Sequence, residues 1–135
     1  MTRIDTNKGR ETELLLKDEV YAIVGAAMEV HRVMRSGFAE AVYQEALEIE
    51  FRLRGIPFEP QKKLKIQYKG ITLEKEYCAD FVCYAQIVLD IKAQRLMSGR
   101  EEMQVVNYLR ATGLRLGLLI NFGDPVQLDW HRFIL

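Results

Sequence analysis

A chain of 135 residues that is 49% hydrophobic and 28% charged has the size and balance of one folded domain with a sizeable core. Its formal net charge is zero, so it lacks the overall basic signature of a dedicated nucleic-acid binder, and any phosphate-binding surface must come from local charge placement. The longest apolar runs, such as Leu116 to Ile120, are far too short to cross a membrane. Cys78 and Cys83 are the only cysteines, and the absence of a CxxC pair or a leader-like start points to a reducing, cytoplasmic compartment. With only His31 and His131, a Cys/His metal site is excluded.

Residues 1–12 are polar and aperiodic, and a frayed terminus is expected there, ahead of a single domain over residues 13–135. From Glu13 to about Arg35, Leu16, Val20, Ile23, Val24, Ala27, Val30 and Met34 recur at helical intervals. His31, near the end of that helix, reads as a core-edge or capping histidine. Ser36-Gly37 stops the run, and a second helix is predicted from about Phe38 to Arg54, closed by Gly55-Ile56-Pro57. On it Glu40, Tyr43 and Leu47 share one face, which places an acid on an otherwise inward stripe.

Phe58 to Tyr68 reads as a strand, Lys69-Gly70 as a turn, and Ile71 onward as the next strand. The lysines along these strands (Lys62, Lys63, Lys65, Lys69, Lys75) alternate with acids and read as a solvated edge. A tight connection near Cys83–Gln86 leads into a third strand. Residues 94–99 form a loop, and a helix is expected from about Arg100 to Ala111, carrying Gln104 and Tyr108 one turn apart. Arg115 to Phe122 is apolar enough for a strand covered on both sides. Val126 to Ile134 is expected to be the last strand, with Trp130 in a packing role. The order is that of an α/β protein built on one mixed sheet flanked by helices.

The segment Glu76 to Ala93 carries the chemistry. With the hairpin centred on Ala85, residues whose numbers sum to 170 lie opposite each other. Strict alternation then puts Tyr77, Ala79, Phe81, Cys83, Ile87, Leu89 and Ile91 on one core face, and Cys78, Asp80, Val82, Val88, Asp90 and Lys92 on the other. Asp80 would face Asp90 directly, with Lys92 next along. Like charges opposed across a sheet are destabilising, and a divalent cation taking both carboxylates would remove the repulsion.

Glu40 on a helix, Asp80, then Asp90-Ile91-Lys92, then Gln104 with Tyr108, in that order and spacing, resemble the PD-(D/E)xK nuclease superfamily. More narrowly, Gly37-Phe38-Ala39-Glu40-Ala41-Val42-Tyr43 is similar to the pattern that names the GxxExxY protein family. So are the segments Tyr77-Cys78-Ala79-Asp80, Asn107-Tyr108-Leu109-Arg110-Ala111-Thr112-Gly113 and Leu118-Leu119-Ile120-Asn121-Phe122-Gly123. The resemblance implies a restriction-endonuclease-like αβββαβ core preceded by an extra helix. It implies Asp80, Asp90 and Glu40 as ligands of Mg²⁺ or Mn²⁺, and Lys92 as the residue that orients water or stabilises charge. Gln104 and Tyr108 would support that site. It further implies phosphodiester hydrolysis, with DNA rather than RNA as the favoured substrate and no membrane partner. One departure is Asp90, where the family usually carries Glu. Two other readings accompany the nuclease: a nucleic-acid-associated or regulatory module of the same fold with weak or no catalysis, and a homo-oligomer that uses a sheet edge or the first helix as its interface.

Overall fold

A computed structural model describes residues 15–135. The expected frayed terminus over residues 1–12 and the expected helix start at Glu13 lie outside the described residues. Eight elements follow: α1 (Lys17–Met34), α2 (Glu40–Arg54), β1 (Phe58–Tyr68), β2 (Ile71–Cys83), β3 (Ile87–Lys92), α3 (Arg100–Thr112), β4 (Leu116–Asn121) and β5 (Asp129–Ile134). The second helix starts two residues later than predicted, and the last strand starts three later. In both cases the preceding residues are used in a loop contact instead.

The strands form one mixed sheet in sequence order. The β1/β2, β2/β3 and β4/β5 pairs are antiparallel, and β3/β4 is parallel. A parallel neighbour requires a crossover, and α3 supplies it. Helices α1 and α2 cover one face of the sheet, where Val20, Ile23 and Val30 of α1 and Tyr43, Leu47 and Phe51 of α2 meet Phe81, Leu89, Ile91, Leu118 and Ile120. Helix α3 covers the other face, where Val105, Tyr108 and Leu109 meet Val82, Val88, Leu119 and Phe133. The inner strands β3 and β4 are therefore enclosed on both sides, as the apolar run of β4 and the Ile87-Val88-Leu89 run of β3 require. Gly117 lets α3 approach β4 closely, since a Cβ there would fall 2.5 Å from Val105 Cγ1. The start of α3 is capped by Glu101, whose Oε1 accepts from the backbone N–H groups of Ser98 and Gly99 at 3.0 and 3.1 Å.

The central hairpin has the predicted register where it pairs: Phe81 opposite Leu89, Val82 opposite Val88, Cys83 opposite Ile87. Its three-residue loop holds Tyr84 and Ala85 at φ of 56° each. The strict alternation over residues 77–83 is corrected by the structure. Phe81 and Cys83 face the α1/α2 side as expected, but Tyr77 and Ala79 lie on the α3 side, with Val82. The facing switches at Asp80. The same switch occurs on β1, where Phe58 packs on the α1/α2 side and Leu64 on the α3 side. Between them Gln61, at φ 49°, drops out of the β1/β2 ladder opposite Asp80. The register is the same on either side, with Pro60 opposite Phe81 and Lys62 opposite Ala79, so both strands carry a matched local irregularity that re-aims side chains without inserting a residue.

Candidate metal and catalytic site

Glu40 stands at the first position of α2, presented by the loop 35–39. Tyr43, one turn on, is fully buried and stacks on Phe122 with ring centroids 4.7 Å apart. Its hydroxyl donates to the carbonyl of Arg35 and accepts from the N–H of Phe38, at 3.3 Å in the latter case. Arg35 at φ 62° and Gly37 at φ 111° make the bend that this tyrosine pins. In Gly37-x-x-Glu40-x-x-Tyr43, then, glycine shapes the loop, tyrosine anchors it, and the acid is left at the rim. Burial pushes the Glu40 carboxyl up; Lys92 partly offsets this and Asp80 adds to it.

Asp80 occupies the switch point of β2. Its Oδ2 accepts the backbone N–H of Ile91 at 2.7 Å, so the side chain replaces a ladder bond between β2 and β3. Direct opposition of Asp80 and Asp90 in the ladder is therefore corrected: pairing ends at Phe81 and Leu89, and Asp80 bridges to β3 through its carboxylate. Its own carbonyl accepts from Gln44 Nε2 of α2 at 3.3 Å. Glu40, Ala41, Gln44, Gln61 and Asp80 together line a shallow opening of about 220 Å³.

Asp90 is the unusual group. Its side chain is 3% exposed, and Oδ2 has no hydrogen-bond partner. Lys92 Nζ lies 3.5 Å from it, long for a hydrogen bond, and 3.9 Å from Glu40 Oε1. Burial, the adjoining Asp80 carboxylate and Asp80's charge push the Asp90 carboxyl up to about 8, against the pull of Lys92. Beneath it sits Tyr108, 4% exposed, with its ring 5.4 Å from that of Tyr77. Burial first, then the negative charge of Asp90 and Asp80, push the Tyr108 hydroxyl well above its ordinary range.

The structure thus brings Glu40, Asp80, Asp90 and Lys92 into one electrostatically linked group with Tyr108 as its floor. Gln104 is half-buried on α3, and its side chain makes no hydrogen bond to these groups among the described residues. Among the described residues no three His, Cys, Asp or Glu side chains form a group close enough to hold a metal ion between them. Glu40 connects to the pair through Lys92 rather than by touching it. The donor set still suits a hard cation, since Mg²⁺ is ordinarily held by one or two carboxylates with water and phosphate completing its shell. The orphaned Asp90 Oδ2 beside Asp80 is such a pair.

Sequence reasoning gave no structural role to the clamp behind the site. Asn121, 2% exposed at the end of β4, accepts the N–H groups of Gln94 and Gly123 through Oδ1 at 2.9 and 3.1 Å and donates to the Gln94 carbonyl at 2.7 Å. Phe122 N–H donates to the Lys92 carbonyl at 2.8 Å. Together they fix the end of β3, from which Lys92 projects. Gly123 is required because a Cβ would sit 2.2 Å from the Gln94 carbonyl oxygen. An amide at the end of a wholly apolar strand, two residues before glycine, is the signal that could have revealed it. Of the lysines along β1 and β2, Lys65 and Lys63 lie 2.7 and 3.8 Å from Glu76, and Lys62 2.7 Å from Glu59, as a solvated edge would have them.

An α/β fold with a mixed sheet between helices, carrying acids and a lysine at the ends of adjacent strands, matches a known class. Residues 17–133 match the PD-(D/E)XK nuclease superfamily, and the chain belongs to it. No curated protein matches significantly. Among solved structures, the crystal structure of SSO0001 is similar over 94% of this chain and 79% of its own, at 18% identity and a TM-score of 0.48.

Proposed function

We propose that this protein is a metal-dependent nuclease of the GxxExxY kind, hydrolysing phosphodiester bonds in nucleic acid, DNA in preference to RNA. The observation that carries the proposal is Asp90: a carboxylate 3% exposed, lacking a hydrogen bond on Oδ2, beside a second acid and a lysine. A fold has no structural use for that arrangement, and a cation between Asp80 and Asp90 would relieve it.

Asp80 and Asp90 would hold Mg²⁺ or Mn²⁺. The bound ion would polarise a phosphoryl oxygen and lower the pKa of water. Asp80, with Oδ2 committed to the Ile91 N–H, offers its other oxygen, and that hydrogen bond orients it. Lys92, 18% exposed and held at the end of a clamped strand, orients water or stabilises charge developing on phosphate. Glu40, half-exposed at the rim with its carboxyl pushed up, accepts a proton from attacking water. Tyr108 closes the floor, and Gln104, one turn before it on α3, would support the site only once substrate or water bridges to it. A cytoplasmic setting suits two free cysteines, one exposed and one buried.

The test is incubation with linear, nicked and single-stranded DNA in Mn²⁺, alongside Lys92→Ala. Metal-dependent cleavage by the native chain and its loss in the variant are expected. A second reading, a nucleic-acid-associated module without robust catalysis, is favoured by the absence of a three-acid cluster among the described residues and by Asp90 in place of the family's usual Glu. Folded native protein that cuts none of these DNAs in Mn²⁺ would establish it over the first.

A further inference from the structure

A cleft of about 670 Å³ lies outside the acid–lysine group. It opens between the C-terminal half of α1 and the segment joining β4 to β5, with Arg32, Arg35, Trp130 and His131 on its walls. Lys92 pairs with Asn121 and Asn121 with Asp129, so the cleft begins two strands from Lys92, roughly 10 Å away at ordinary strand spacing. The two regions also share the loop that follows Arg35 and presents Glu40.

The chemistry of the walls is that of a site for a nucleotide. Asp124 is used internally, its Oδ1 accepting the N–H groups of Val126 and Gln127 at 2.8 and 3.3 Å. Asp129 is used by His131 at 3.1 Å. Arg32 is held by Glu29 at 2.8 Å. Arg35 is exposed, and its side chain has no ion pair or hydrogen bond among the described residues. His131 Nδ1 is buried without a hydrogen-bond partner. Trp130 offers a partly exposed indole. An uncommitted guanidinium for phosphate and an aromatic wall for stacking, with the His131 ring alongside, suit a base with its phosphate. A concave space of this volume suits an unstacked nucleotide rather than the outside of a duplex.

We infer that the cleft between α1 and the β4–β5 connection is a second substrate site, which seats an unpaired nucleotide of the strand about 10 Å from the Lys92 end. Arg35 engages its phosphate, and Trp130 and His131 engage its base. The inference deepens the nuclease reading by naming a single-stranded segment as the substrate form, and its test runs without catalysis.

Trp130 is the only tryptophan, so its fluorescence reports the cleft directly. Native protein in EDTA is titrated with a four-residue oligothymidylate at low salt. Saturable quenching is expected, and Arg35→Gln should weaken binding several-fold and flatten its salt dependence by about one counterion. Lys75→Gln removes the same charge on the distant β2 and should bind as the native chain does. Anisotropy of a labelled oligomer on Trp130→Phe gives a second reading, in which weaker stacking should cost several-fold. No quenching, or equal weakening by Arg35→Gln and Lys75→Gln, would overturn the inference. Metal-dependent cleavage without quenching removes the cleft site alone. Quenching without cleavage by any metal leaves the cleft site and removes the hydrolysis.

Discussion

Replacing Asp90 by asparagine should stabilise the metal-free protein above pH 8 while removing the proposed metal site. Burial and the neighbouring Asp80 push the folded carboxyl up to about 8 from an ordinary 3.8. A carboxyl whose pKa is raised by folding binds its proton more tightly in the folded than in the unfolded chain. Its contribution to stability is therefore greatest below the unfolded value, declines as pH rises from about 4 to 8, and is flat beyond. At about 1.4 kcal/mol per unit the ceiling is about 6 kcal/mol. Relaxation and water entry around a buried charge reduce that, and the substitution also forfeits the attraction of Lys92. A net gain of about 2–3 kcal/mol at pH 8.5 is expected, or about 8–10 °C in Tm for a domain of this size. At pH 5, where native Asp90 is protonated, the gain should shrink to within about 1 kcal/mol. Urea unfolding followed by Trp130 fluorescence, in EDTA at both pH values, measures this, and the difference between the two proteins cancels the titrating groups that do not interact with Asp90. A variant no more stable than the native chain at pH 8.5, or one with the same pH slope, refutes the reasoning.

Three further outcomes follow from the same contacts. Because the fold pushes the Asp90 carboxyl up, Mn²⁺ binding at pH 7 should release a proton; calorimetry in two buffers of different ionisation enthalpy measures it, and Asp90→Asn should abolish the release. Asn121→Ala removes three hydrogen bonds from a buried position and should cost about 2–4 kcal/mol, read from denaturant midpoints, with a looser Gln94 segment in hydrogen exchange. Ala85→Gly relieves a left-handed alanine and should raise stability by up to about 1 kcal/mol in the same assay, without altering cleavage or metal binding.

The element order was legible because each signal was local. Helical periodicity marks α1 and α2, Lys69-Gly70 marks the β1/β2 turn, and the apolar run before Asn121 marks a strand enclosed on both faces. The acids and the lysine could be singled out because Asp90-x-Lys92 across a hairpin from Asp80 is a pattern in sequence. The switch of facing at Asp80 was not legible. It depends on Gln61, a residue of another strand in a left-handed conformation, and on a carboxylate taking a backbone N–H across the sheet. Alternation rules assume an uninterrupted ladder, and here the ladder is interrupted on both strands at once. The Asn121 clamp was hidden for a related reason: its partner Gln94 is 27 residues away, in a loop without regular structure.

Local rules fail at the same place where the charged group collects. Gln61, left-handed at φ 49°, leaves the ladder opposite Asp80, and Arg35, left-handed at φ 62°, begins the loop that presents Glu40. Each costs on the order of 1 kcal/mol in a non-glycine residue, and Asp90 adds the larger cost of a buried carboxyl group with an unsatisfied oxygen. The compensation is close by: Tyr43 pins the loop, Asn121 clamps the end of β3, and the Asp80–Ile91 hydrogen bond restores what the ladder loses. Strain that is flanked by such supports is characteristic of a site the fold retains for a purpose other than stability. The same supports decide how that purpose can be tested. Substitutions at Tyr43 or Asn121 would perturb geometry and stability together, whereas Asp90→Asn should leave the scaffold intact and separate a lost metal site from a lost fold.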